Sequence, residues 1–269
     1  MTTAVLPKNS YTTGLCKGQG VIPEMVVLLR EWQAGWSAAE LGHKVVAEGL
    51  LPKATSSRVR DIVSRVFAFR YLVDNDRPAR QLKRLLDAGA TASQITQLLF
   101  LHTARAHPEL HDFVTDFYWP RYSSGAQNLN RNDSIDFFKN AFADGRLPRE
   151  WTDTSRTKIA RYLLSTLTDF GLAGPPVNDQ REILHFSPRV STSLYLTHDL
   201  RFSGLTDNQI MAHPDWRLFG FEPLDALAEL KRISSTGMII VQHSGDLLRI
   251  AWKHKTMEAF LDELAQGYL

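Results

Sequence analysis

The clearest alternation of apolar and polar positions covers residues 151–174, WTDTSRTKIARYLLSTLTDFGLAG. Ile159, Leu163, Leu167 and Phe170 recur at helical spacing, with Ala160 and Thr166 beside them. Thr152 and Thr154 offer N-cap oxygens, and Gly171 and Gly174 act as stop signals. At about 100° per residue, the opposite face carries Thr154, Lys158, Arg161, Ser165 and Thr168. A small, hydroxylated, basic face suits a groove lined with phosphates and base edges, and it is also what many solvated helices show. The neighbouring pattern favours the groove. Residues 134–142 (SIDFFKNAF) predict a preceding helix, and 144–148 (DGRLP) break it. After Gly-Leu-Ala-Gly-Pro-Pro and a polar stretch, Glu182-Ile183-Leu184-His185-Phe186 reads as a short strand. Helix, helix, basic helix and a strand-bearing loop is the order of a winged helix.

The same periodicity organises the remainder. Residues 24–33 predict a helix with Met25, Leu28, Leu29 and Trp32 inward. Gly35-Trp36-Ser37 turns the chain, and Ser37 with Glu40 forms a capping box for a helix reaching about Glu48. Gly49-Leu50-Leu51-Pro52 breaks that helix. A third runs from Thr55 to about Leu72, its buried stripe being Val59, Ile62, Val63, Val66 and Phe69. Ser57, Arg60, Asp61, Ser64 and Tyr71 fall outside the stripe, and Arg58 and Arg65 fall on its flank. This is a second helix-turn-helix candidate, with a turn longer than usual. Arg70 falls near the apolar face, which calls for a structural partner. Helices over 77–89, 91–103 and 109–119 suggest a bundle. Residues 120–133 (PRYSSGAQNLNRND) are the most loop-like run and set the expected division, a helical domain over 1–125 and a winged-helix domain over 126–269. In the latter, helices are predicted over 191–200, 207–212 and 224–234. Strands over 238–242 and 247–252 join through His243-Ser244-Gly245-Asp246, and a helix over 255–266 follows. The fold expected is mainly α, a helical bundle with winged helix-turn-helix units and small β-hairpin wings.

Composition narrows the function. With 43% hydrophobic and 22% charged residues the chain is globular, not disordered. No apolar run approaches the roughly 18 residues of a membrane span, and residues 95–101 fall far short. The start, MTTAVLPKNSYTTG, has no secretory core. A single cysteine, Cys16, excludes a disulfide framework and a thiolate metal cluster, and points to a reducing cytoplasm. The net charge of +2 means that a nucleic-acid surface must come from clustering. Such a cluster exists: residues 52–84 carry nine basic side chains against Asp61, Asp74 and Asp76, and most are arginine, whose planar fork pairs with phosphate and guanine.

Other motifs carry less. Gly14, Gly18 and Gly20 loosely resemble a phosphate cradle, but no strand precedes them and no Gly-Lys-Ser/Thr ends them, so a folded N-terminal arm is expected. His102, His107 and His111 are close in sequence, yet His107 precedes Pro108 and no cysteine or HExxH pattern supports a metal. Asp74-Asn75-Asp76 reads as a loop or cap. No nucleophile elbow or Walker lysine motif is present, so a non-catalytic protein without cofactor or metal is expected. The candidate partner is double-stranded DNA, held mostly through phosphates. Its candidate contacts are Arg58, Arg60 and Arg65 on the third helix with Lys53 just before it, and Thr154, Lys158, Arg161 and Ser165 on the central one. The alternative is a protein–protein adaptor using Trp119, Tyr122, Trp216, Phe219 and Phe221. RNA is a weaker third option, since no aromatic-studded strand motif appears.

Four stretches carry a family resemblance. Tyr11-Thr12-Thr13-Gly14-Leu15-Cys16-Lys17-Gly18-Gln19-Gly20 before a helix at Glu24, and Trp151, Lys158, Leu163-Leu164, Leu167 and Gly171-Leu172, are similar to the BrxA family of bacterial BREX phage-defence systems. His213-Pro214-Asp215-Trp216-Arg217-Leu218-Phe219-Gly220 and Ile250-Ala251-Trp252-Lys253 also fit. The resemblance implies a mostly helical cytoplasmic protein with helix-turn-helix elements that binds duplex DNA beside the other BREX subunits. It supplies no catalytic motif, and every site residue named above comes from the face analysis alone.

Overall fold

The structure, a computed structural model, describes residues 10–147, 149–245 and 247–267. Part of the segment read as lacking a secretory core, together with Pro148 of the predicted break and Asp246 of the predicted hairpin turn, lies outside these residues. Among the described residues the chain is mainly helical, with two small antiparallel pairs of strands, as the periodicity predicted. It groups into two compact units. The first runs to Pro78 and resumes over Phe100–Phe186; the second comprises Ala79–Leu99 and the chain from Ser187 onward. The expected division at 125/126 falls inside the first unit.

In the first unit, α1 (Ile22–Glu31) and α2 (Ala38–Ala47) form where predicted, and both bonds of the Ser37–Glu40 capping box are present. The third predicted helix is α3 (Ser56–Ile62), a π turn (Val63–Phe67) and α4 (Ala68–Tyr71) in one run. The π turn corrects the expected stripe. Its wider i→i+5 closure inserts one residue and rotates everything after it. Phe67 and Tyr71 are therefore buried, whereas Phe69 is 48% exposed and leans on the His107 ring at 5.4 Å. A second π turn, Val114–Tyr118, joins α7 (Pro108–Phe113) to α8 (Trp119–Ser123), so the helix predicted to end near 119 continues to Ser123. The run read as loop also holds β1 (Asn128–Asn130) and the start of α9 (Arg131–Ala143). The pattern hid them because β1 buries a single side chain, Leu129, between two asparagines. The start of α9 is a capping box in which Asn130 and Asp133 satisfy each other's backbone amides at 2.8 and 3.0 Å.

Two helices link the units in sequence, α5 (Arg77–Asp87) and α6 (Ala92–Ala106), and the unit boundaries fall within them. The second unit is built round α11 (Val190–Phe202), whose residues 191–200 are all buried. Its pattern is weak because it buries polar side chains as well as apolar ones: Thr197 Oγ1 donates to the Ser193 carbonyl at 2.7 Å, His198 Nδ1 lies 2.8 Å from the Leu194 carbonyl, and Thr192 Oγ1 donates to Gln97 at 2.8 Å. Beyond it come α12 (Asp207–Met211), a 3₁₀ turn (Pro214–Phe219), α13 (Pro223–Ser234), the hairpin β3 (Ile239–Ser244) and β4 (Leu247–Trp252), and α14 (Met257–Gly267). Trp216 in the 3₁₀ turn donates its indole N–H to the Ile210 carbonyl at 2.8 Å. The His198 ring stacks on Phe260 at 3.7 Å, and burial pushes its pKa down to about 3.

Two stability outcomes follow from this packing. Phe67→Ala is expected to cost about 3–5 kcal/mol in urea unfolding, and Phe69→Ala under about 1 kcal/mol; equal losses would refute the rotated register. Because His198 is held neutral below its unfolded pKa, its contribution is complete above about pH 6.5 and is lost as the pH falls toward 3, by about 1.4 kcal/mol per pH unit. Denaturation midpoints between pH 7 and 4 should show that slope, and His198→Phe should flatten it.

Candidate nucleic-acid interface

The central predicted helix is α10 (Asp153–Asp169), capped where Ser155 N–H donates to Thr152 Oγ1 at 3.2 Å. Ile159, Ala160, Leu163, Leu164 and Leu167 are buried, and Gly171 stops the helix at φ +83°. The opposite face splits in two. Toward the N-terminal end, Thr154, Thr157, Lys158 and Arg161 are exposed. Arg156, one step round, is locked by Glu150 and Asp153 at 2.9 and 2.5 Å. Lys158 and Arg161 have no carboxylate partner among the described residues, and the Arg161 guanidinium rests 5.3 Å from the Tyr162 ring. Toward the C-terminal end the face is occupied. Arg181 Nη1 donates to Thr168 Oγ1 at 2.7 Å and Nη2 to Ser165 Oγ at 3.2 Å, so Ser165 is half-buried under a neighbouring strand.

That strand is β2 (Gln180–Glu182), in the polar stretch just before the segment predicted as strand. It pairs antiparallel with β1, Leu129 opposite Arg181. On its other side, bridges Ala173↔Ile183 and Val177↔Gln180 fold 172–184 into a small wing. The two-residue tip, Asn178-Asp179, takes left-handed φ values of 49° and 64°, which Asn and Asp tolerate well. Tyr118 holds the base of the wing, its hydroxyl 2.9 and 2.8 Å from the Leu172 and Leu184 carbonyls. At the tip, Asp179 is paired with Arg131 at the start of α9.

The second candidate patch lies on α3 and its π turn. Lys53 and Arg60 are exposed. Arg58 and Arg65 meet Asp61 at 3.7 and 3.0 Å with 41% and 61% of their side chains exposed, so they are neither buried nor free. The N-terminal arm passes beside them. Its 3₁₀ turn, Gly14–Lys17, packs against both α10 and the first π turn. Close approach explains its glycines: a Cβ on Gly18 would meet Val66 at 2.7 Å, and one on Gly20 would meet Asp169 at 2.5 Å. Gly20 N–H donates to Asp169 at 2.9 Å, and the buried Arg70 donates to the Gly18 and Gln19 carbonyls. Arg70 thus has the structural partner its position called for. Burial raises the Cys16 thiol, opposed by the positive field of Lys158 and Arg161.

The three nearby histidines do not converge. His107 pairs with Glu109 at 3.2 Å, and burial lowers its pKa; His111 pairs with Asp112 at 3.1 Å; His102 packs edge-on to Tyr71. Among the aromatic side chains considered for an adaptor interface, Trp216 and Phe219 are core residues with 1% and 2% exposure, which removes them from any surface. Sequence reasoning missed Arg181 and Lys17. The first lay outside the helix under analysis, and the second lay in a segment read for its glycines, its cysteine and its family resemblance, not for its charge.

Fold and site together define a mainly helical protein with two exposed cations on one helix, neither paired with a carboxylate among the described residues, and a small wing beside it. The chain belongs to the BrxA family, whose model matches residues 9–199, which makes it a protein of BREX phage defence. The C-terminal motifs at 213–220 and 250–253 lie beyond that match. The fold is similar to the crystal structure of an uncharacterized protein from Magnetospirillum magneticum, with TM-score 0.54 and 17% identity over 78% of this chain and 97% of that one. No curated protein matches the chain. No helix among the described residues is long and apolar enough to cross a membrane.

Arg181→Ala should lower stability by about 1.5–3 kcal/mol, since it removes a charged donor from two hydroxyls. Lys158→Ala should stay within about 0.5 kcal/mol. Thermal unfolding of both variants checks the contrast.

Proposed function

We propose that this BREX protein is a non-catalytic duplex-DNA-binding component, acting mainly through the phosphate backbone and beside other subunits of its defence system. The observation that carries the reading is the Lys158–Arg161 pair, exposed and without carboxylates in the N-terminal part of α10. In helix-turn-helix proteins that part of the second helix enters the major groove, with the preceding helix crossing the backbone. α9, α10 and the wing follow one another in the order of a winged helix, which supports the same reading. Thr154 extends the contact on α10. Ser165, under Arg181, is a poorer contact than its place on the helical face suggested. Lys53, Arg58, Arg60 and Arg65 add cations on α3 and the first π turn. The wing adds little charge, because its arginine turns inward and its tip carries an acid.

Binding of this kind is salt-dependent, each phosphate contact adding about 0.9 to the slope of log affinity on log salt. Lys158→Ala with Arg161→Ala should flatten the slope by about 1.8 and weaken binding to random duplexes of any sequence. Fluorescence anisotropy over a salt series measures both. Unchanged affinity in a folded double variant would overturn the DNA reading and favour the adaptor.

A further inference from the structure

Three cations meet at Asp61. Arg58 and Arg65 come from the helical run that holds it, and Lys17 comes from the N-terminal arm, its Nζ 3.7 Å from Asp61 Oδ2. Arg58 also donates Nη1 to the Lys17 carbonyl at 2.7 Å, tying the arm to α3. One carboxylate cannot neutralise three cations, so the cluster keeps an excess of positive charge. All three side chains remain open to solvent, at 45%, 41% and 61% exposure. The turn bearing Lys17 packs on α10, and the thiol next to it in sequence, that of Cys16, feels the charges of Lys158, Arg161 and Lys17 together. The same turn packs on the first π turn, so the arm lies between α10 and the helical run that carries Arg58 and Arg65. The wing cannot supply this flanking contact, because Arg181 is spent on Ser165 and Thr168, and Asp179 sits at the tip.

We infer that Lys17, with Arg58 and Arg65, forms a phosphate seat, and that the N-terminal arm, not the wing, joins α10 and α3 in touching the DNA backbone. Asp61 occupies the seat in the free protein: it preorganises the three cations and competes with the phosphate for them. The inference rests on the duplex-binding reading above and extends it to a segment that reading does not use.

The test is a salt series of duplex binding with the full chain. Lys17→Ala should bind about eightfold more weakly at 0.1 M salt, the loss shrinking toward 1 M as the slope falls by about 0.9. Lys17→Arg, which keeps the charge, should restore both. Asp61→Asn should tighten binding several-fold, and Glu258→Gln, which neutralises an exposed acid on α14 of the second unit, should not. Unaltered thermal unfolding identifies these as surface effects. If Lys17→Ala leaves the slope unchanged while the Lys158/Arg161 double variant flattens it, the arm is off the DNA and only this inference falls. If neither changes, the DNA reading falls with it. An Asp61→Asn effect no larger than that of Glu258→Gln would overturn the competing role of the acid.

Discussion

Arg70 is the residue on which the first unit depends. Its guanidinium is 1% exposed, and burial pulls its pKa below the ordinary value. Removing such a charge from water costs several kcal/mol unless fixed dipoles replace the lost hydration. Here the dipoles are the backbone carbonyls of Gly18 and Gln19, with the Glu109 charge within reach. The bond works in both directions. Without the arm the arginine would lose both carbonyls, and the arm, which also buries Tyr11 and Leu15, gains two backbone bonds from it. Glycine at 18 and 20 lets the backbone come close enough for the carbonyls to face inward. That exchange holds Gly18 and Gln19 against the first unit, and Gly20 adds its bond to Asp169.

The sequence made legible whatever rests on uninterrupted periodicity. α10, its Thr152 cap and its glycine stop stand within a few residues of the pattern, as do the Ser37–Glu40 box and the hairpin of β3 and β4. Two effects put other features beyond reach. A π turn keeps a helix helical while shifting its faces by one residue, so the stripe read through Val66 was right and its extension to Phe69 was not; no residue type announces the insertion. The other is cross-chain contact. Ser165 and Thr168 sit on the polar face as calculated, yet Arg181 covers them from a strand that the helical wheel cannot see. Asp61 is a third instance. On its own helical run it pairs with Arg58 and Arg65, and the arm brings Lys17 as a third cation that the helical wheel cannot see.

The two ends of α10 are thus specialised by their neighbours. One end leaves Lys158 and Arg161 without a carboxylate partner among the described residues; the other is part of the wing's foundation. A helix with its far end anchored by Arg181 and Tyr118 nearby at the wing base presents its free end in a fixed direction. Such rigidity lowers the conformational entropy lost on docking to a partner.

The arm's seat also constrains how the protein is made. Gly20 bonds to Asp169, a partner 149 positions further along the chain. At synthesis rates of about 5–20 residues per second, the ribosome delivers that partner roughly 7–30 s after the arm. During that interval Arg70 has emerged, but the α10 side of the seat has not. The contact is also among the most non-local in the chain, and such contacts close late because loop entropy must be overcome first. The basic face therefore becomes complete only near the end of folding, when the nascent first unit is already largely assembled.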